Sequence, residues 1–196
     1  ADRLRLVPLG VETERASEPE IARVRQVYRL PDEYLLFVGT VEPRKNLKGL
    51  VAALEHLRNP PLLVVAGADG WGDSGVTESD QVRFLGFVPS EDLSGLYGGA
   101  AVFCYPSERE GYGLPVLEAM AQGTPVVTSR GTATEETAGN GAVLVDPMDP
   151  HDIARGIDEA ARRHNELAAK GLARAQRRSW AATATLTAAA YRELAG

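Results

Sequence analysis

Short, nearly unbroken apolar runs recur along the chain, and between them apolar residues return every three to four positions. The runs are Tyr34–Gly39, Leu62–Gly67, Val82–Gly86, Ala101–Tyr105, Pro125–Thr128 and Ala142–Val145. Continuous rather than alternating apolarity predicts strands covered on both faces, as in a parallel sheet flanked by helices. The helical stretches fill the gaps. Asn46–Leu57 sets Leu47, Leu50, Val51 and Leu54 on one stripe, and Ser90 opens a helix from the N-cap position. Leu114–Gln122 has Pro115 near its start and Gly123 just past its end. Asp149–Arg163 carries Ile153, Ile157 and Ala161 at four-residue spacing. The alanine-rich tail from Ala168 lacks sustained heptads and reads as packed helix, with Trp180–Leu194 as the last one. Leu4–Val11, interrupted by Pro8 and Gly10, reads as an extended approach to the first helix. Six strands alternating with helices predict an α/β fold: a doubly wound, six-stranded parallel sheet of Rossmann type.

That fold fixes where chemistry belongs. Ligands of open α/β sheets bind beyond the C-terminal strand ends, where the strand order reverses. With the order 3-2-1-4-5-6, the crevice lies between the first and fourth strands. The two most polar strand exits then meet there: Gly39-Thr40-Val41-Glu42-Pro43-Arg44-Lys45-Asn46 and Pro106–Pro115. Arg44 and Lys45 precede a helix, so two cations and free backbone N–H groups could seat a diphosphate. Gly111 and Gly113 allow close approach of backbone to ligand. Glu110 lies in the loop before the next helix and Glu118 one turn inside it, so both carboxylates can face the crevice and accept sugar hydroxyls. Taken singly, each is an ordinary acid, Glu118 complementing a helix dipole and Glu110 exposed in a loop.

Composition narrows the function. The chain has 196 residues, suited to a single domain spanning 1–196. A net charge of −6 without a basic stripe argues against nucleic acid. Cys104 is the only cysteine, which excludes an internal disulfide, favours a reducing, cytoplasmic setting and suits inert core. No run approaches the roughly 18–20 apolar residues of a membrane span, and the sequence leaves membrane contact open. His56, His151 and His164 have no Cys/His/Asp cluster around them, so no metal is expected. Ser107 and Ser129 lack a histidine partner or nucleophile elbow, and the G-x-G-x-x-G fingerprint is missing. Without that loop Asp69 reads as a turn residue. Trp71, in a Gly-rich loop, either touches a partner domain or anchors its own loop.

The run S-E-R-E-G-Y-G-L-P-V-L-E-A-M-A-Q-G-T-P-V-V, Ser107 to Val127, resembles the core motif of retaining glycosyltransferases with the GT-B fold, Glu110 and Glu118 forming its E-x7-E pair. Phe37–Asn46 (F-V-G-T-V-E-P-R-K-N) is similar to that family's phosphate loop, particularly in mannosyltransferase-like members. Arg83–Pro89 and Gly141–Pro150 extend the likeness over nearly the whole chain. The resemblance implies the donor-binding half of a GT-B enzyme, with 1–15 as interdomain linker and 180–194 as C-terminal helix. An N-terminal acceptor domain is then absent, and the fragment inactive alone. The donor would be a GDP- or UDP-linked hexose, mannose among the candidates, with no cofactor. Arg44 and Lys45 would hold the diphosphate, Glu110 the transferred sugar and Glu118 the ribose. Backbone from Gly111 through Tyr112 and Gly113 to Leu114 would line the sugar and phosphate, Gly39 and Thr40 the donor loop, and Phe87, Val88 and Leu93 the base. Thr40 stands where many relatives carry arginine. The alternatives are a non-catalytic nucleotide-binding module and a GT-B-like nucleotide-sugar epimerase.

Overall fold

The computed structural model describes residues 4–68, 70 and 75–195; Asp69 and Trp71 lie outside them. The strands are β1 Tyr34–Val38, β2 Leu62–Ala66, β3 Val82–Gly86, β4 Val102–Tyr105, β5 Val126–Ser129 and β6 Ala142–Val145. All pair in parallel in the order β3-β2-β1-β4-β5-β6, so the reversal falls between β1 and β4 as the sequence predicts. Tyr34 to Val38 pair residue by residue with Leu62 to Ala66, and Leu35 faces Val102. β1, β2, β4 and β5 are almost wholly buried, which is why their sequences do not alternate. Cys104 lies in this interior, where burial raises its thiol.

The first two strands end one residue earlier than the apolar runs suggest. Gly39 and Gly67 turn out of the sheet with φ of 146° and 151°. A Cβ on Gly67 would stand 2.1 Å from the Gly39 carbonyl oxygen. The two chains leave the sheet in direct backbone contact, which only glycine allows.

The helices are α1 Glu18–Tyr28, α2 Leu47–Leu54, α3 Ser90–Gly98, α4 Leu114–Ala121, α5 Ala133–Ala138, α6 Pro150–Arg162, α7 His164–Gln176 and α8 Trp180–Ala195. α2 packs on α6, while α1 packs on α3, and α4 on α3, α5 and α7. α2 stops at Leu54, short of Leu57. In α3 the N-cap is Pro89, and Ser90 is already the first helical residue, without a side-chain cap. The alanine-rich tail is helical in α7 and α8, separated at Arg177–Ser179, and the last helix starts at Trp180 as the sequence predicts. The opening segment is extended as expected: Val11 bridges Ser179 in parallel, and its N–H donates to Arg178 O at 2.8 Å.

Candidate functional site

The exits of β1 and β4 are laced together. Pro43–Lys45 forms a 3-10 turn ending at Asn46, which adopts φ 56° and caps α2 by accepting from Gly49 N–H. Its Nδ2 donates to the carbonyls of Pro106 at 3.2 Å and Pro147 at 2.6 Å, binding three strand exits at one side chain. Glu108 N–H donates to Arg44 O at 2.8 Å. Asn46 thus takes one first-turn N–H of α2, that of Gly49. α4, like α3, starts without a side-chain cap, from Gly113 at φ 90°. A Cβ there would come within 2.7 Å of Thr134 Cγ2.

Arg44, Lys45 and Glu110 meet in one charge cluster. Lys45, only 7% exposed, donates from Nζ to Tyr105 Oη at 2.6 Å and stands 3.4 Å from Glu110 Oε1. Tyr105 donates in turn to Glu110 Oε1 at 2.8 Å. Arg44 Nη1 is 3.1 Å from the same oxygen, and its Nε is 2.8 Å from Glu42 Oε2. Arg44 and Lys45 are therefore not free cations; each is partnered by a carboxylate, Lys45 buried and Arg44 partly exposed. Burial works to raise the Glu110 carboxyl, but the Tyr105 hydrogen bond and the Lys45 and Arg44 charges outweigh it and hold it below the usual carboxylate range. Burial likewise works against the Arg44 charge, and Glu110 and Glu42 more than restore it.

Glu118 sits elsewhere. Its Oε2 accepts from Tyr97 Oη at 2.8 Å, and it lines a cavity of about 220 Å³ with Gly10, Val11, Leu93, Leu114 and Trp180. Desolvation raises its carboxyl above the ordinary value, and the Tyr97 bond offsets only part of this. Glu110 does not line this cavity; its partners are Tyr105, Lys45 and Arg44, whereas that of Glu118 is Tyr97. Gly39, Thr40, Phe87, Val88 and Leu93 border a second cavity of about 210 Å³. Leu93 lines both cavities. Phe87 is 78% exposed, an aromatic face turned to solvent. Gly111 is exposed with open space around it. The Tyr112 side chain turns away from the charge cluster, its hydroxyl donating to Leu9 O at 3.1 Å, while its carbonyl accepts from Thr137 at 2.6 Å.

Sequence reasoning passed over Tyr97, Tyr105, Asn46 and Trp180. Tyr105 had a legible signal, being the last residue of a strand whose exit was singled out; Tyr97 and Trp180 join the site only through tertiary packing. Among the described residues no group of three or more His, Cys, Asp or Glu could hold a metal ion, and no helix is long and apolar enough to cross a membrane.

Comparison with known proteins places this geometry in context. Residues 20–177 match the family described as glycosyl transferases group 1. The chain is 38% identical over 213 aligned positions to O-antigen chain mannosyltransferase B of Escherichia coli, covering 99% of this chain and 55% of that protein. It superposes on sucrose-phosphate synthase from Thermosynechococcus elongatus with a TM-score of 0.82 and 28% identity, over 97% of this chain and 52% of the other. Anabaena Alr3699/HepE, crystallised with UDP and glucose, shares the fold at a TM-score of 0.81 and 20% identity, over 95% and 55% of the two chains. The chain thus spans about half the length of each of these three proteins.

Proposed function

The chain belongs to the glycosyl transferases group 1 family, and from that premise we propose that it is the donor-binding half of a retaining glycosyltransferase that moves a hexose from a nucleoside-diphosphate sugar. Mannose is the favoured sugar, because the E. coli relative is a mannosyltransferase. The observation that carries the reading is the layout of the β1/β4 crevice. A cationic cluster of Arg44 and Lys45, an apolar cavity bordered by Phe87, Val88 and Leu93, and a cavity lined by the Glu118 carboxylate are gathered there, the two cavities sharing Leu93.

In this scheme the diphosphate meets Arg44 and Lys45, whose charges stabilise it as it leaves the sugar. Glu110 accepts hydroxyls of the transferred sugar. Glu118 accepts the ribose hydroxyls, and Phe87, Val88 and Leu93 flank the base. Catalysis comes from positioning and charge stabilisation by groups already fixed in the fold. In this scheme the acceptor half lies in the part of the relatives' length that this chain does not span.

Calorimetry of residues 1–196 against UDP, GDP, ADP and dTDP and their hexose conjugates tests the reading. Binding of at least one is expected. No binding by any of them at millimolar concentration defeats it, and transfer to an added acceptor by the longer protein separates a transferase from an epimerase or a non-catalytic module.

A further inference from the structure

Tyr105 closes β4, and its ring is fixed between Phe37 and Phe103 with centroids 5.9 and 5.7 Å away. It is 1% exposed. Packing of that kind leaves the ring one orientation and aims the hydroxyl at a fixed point. At that point it stands between opposite charges, accepting from Lys45 Nζ at 2.6 Å and donating to Glu110 Oε1 at 2.8 Å. Lys45 Nζ and Glu110 Oε1 are themselves 3.4 Å apart. A charge-assisted hydrogen bond closes to roughly 2.7–2.9 Å when nothing intervenes. The ion pair is therefore held open, with a neutral hydroxyl bridging it. The ammonium also lies 4.9 Å from the Tyr105 ring centre and beside Gly39, where a Cβ would meet Nζ at 2.8 Å.

A fully closed pair would resist a ligand, because the ammonium would be held by the carboxylate and a buried pair of opposite charges is costly to separate. We propose that Tyr105 is a positioning residue of the donor site, its hydroxyl keeping Lys45 and Glu110 in a loosened pair so that an arriving diphosphate can take the ammonium and a sugar hydroxyl the carboxylate. This rests on the donor-site reading above. Burial and the Glu110 charge both raise the phenol, so the proton stays on Tyr105 and the bridge keeps its direction, from Tyr105 to Glu110.

The test measures affinity of residues 1–196 for UDP and GDP by calorimetry, in a cycle of Tyr105→Phe and Glu110→Gln. Tyr105→Phe keeps the ring and its packing. It is expected to weaken the tighter-binding nucleotide about three- to tenfold, the worth of one hydrogen bond. In the Glu110→Gln background the same change should matter less than twofold, because no anion remains for Lys45 to collapse onto. Equal losses in both backgrounds mean a merely structural role and overturn the proposal, as does an unchanged affinity in Tyr105→Phe. Glu110→Gln alone needs no change at Tyr105, and it should bind the bare diphosphate at least as tightly as the unmodified chain. Weaker binding there also overturns the proposal. Failure of the unmodified chain to bind UDP, GDP, ADP or dTDP would instead overturn the donor reading beneath it.

Discussion

The phenol of Tyr97 donates a 2.8 Å hydrogen bond to Glu118 Oε2, pairing a fully buried tyrosine with a carboxylate that burial makes harder to ionise. The sign of the consequence is definite. A carboxyl whose folded pKa lies above its unfolded value binds protons more tightly when folded, so its contribution to stability falls as pH rises from the ordinary value of 4.5 through the raised one. At neutral pH the ionised Glu118 is a net cost to the fold. Glu118→Gln keeps an acceptor for Tyr97 and removes the charge. It is expected to melt higher than the unmodified chain at pH 7, by roughly 2–4 °C for each kcal/mol gained, with the gap narrowing near pH 4. Its nucleotide affinity should fall about ten- to hundredfold, the worth of a hydrogen bond to a charged group. Melting curves at both pH values check the first half and calorimetry the second. A lower melting point at pH 7 would mean that Glu118 stabilises the fold rather than serving a ligand.

Two glycines separate folding from binding. Gly67 has φ 151° and backbone of Gly39 where its Cβ would go, whereas Gly111 has nothing within 4 Å of that position. Gly67→Ala is expected to cost about 2–4 kcal/mol, the sum of a strained dihedral and an overpacked contact. Gly111→Ala should leave the melting temperature unchanged within about 1–2 °C and weaken donor binding, since its added methyl points into open space where the sugar would lie. A stable Gly67→Ala, or a Gly111→Ala with full affinity, counts against the roles given to these exits.

The contrast between those glycines shows what the sequence makes legible. The four inner strands β1, β2, β4 and β5 stand out because burial on both faces leaves continuous apolar runs, yet the ends of β1 and β2 are set by the Gly39–Gly67 contact, which no local pattern reveals. α1 had a readable start, Ser17 with Glu20 reaching back to its N–H at 2.7 Å, whereas α5 is six residues long and too short for any period to show. Arg44, Lys45 and Glu110 were findable because polar residues at two strand exits must meet once the sheet order is known. Tyr97 was not, and Tyr105 was marked only by its place as the last residue of β4. Their rings are core by every local criterion, and only the hydroxyl tips reach the charges. The separation of Glu110 from Glu118 is equally invisible, because loop and helix positions close in sequence diverge according to how α4 enters the fold.

Gly10 provides a test of the wall around Glu118. A Cβ there would stand 2.5 Å from Trp180 N and 2.6 Å from its Cα, backbone atoms that cannot yield as a side chain can. Gly10→Ala should lift the opening segment from the start of α8, break the Val11 to Arg178 hydrogen bond and expose the indole of Trp180, now 46% exposed. With Trp71→Phe as background, Trp180 is the only indole, and its emission should shift to the red while nucleotide affinity falls. Unchanged emission with unchanged affinity would show that this crossing does not shape the cavity.

The last expectation concerns turnover. Glycosyl transfer requires that water be kept from the reacting sugar and that an acceptor be held against it, and closing a second body over the site does both. In this chain the Arg44 side chain remains 39% exposed and Phe87 78% exposed, so the site is open to solvent at both of these residues. Residues 1–196 should therefore bind the donor without transferring its sugar, and release of nucleoside diphosphate should not rise when acceptor sugars are added. A longer protein supplying the remaining half of the relatives' length should be faster by at least about a hundredfold, because orientation of two reactants alone contributes that much. A coupled assay of diphosphate release, run on both proteins with the same donor, decides the matter. Transfer by residues 1–196 within tenfold of the longer protein would mean that one domain carries the whole reaction, and that the acceptor is held by surfaces of this fold.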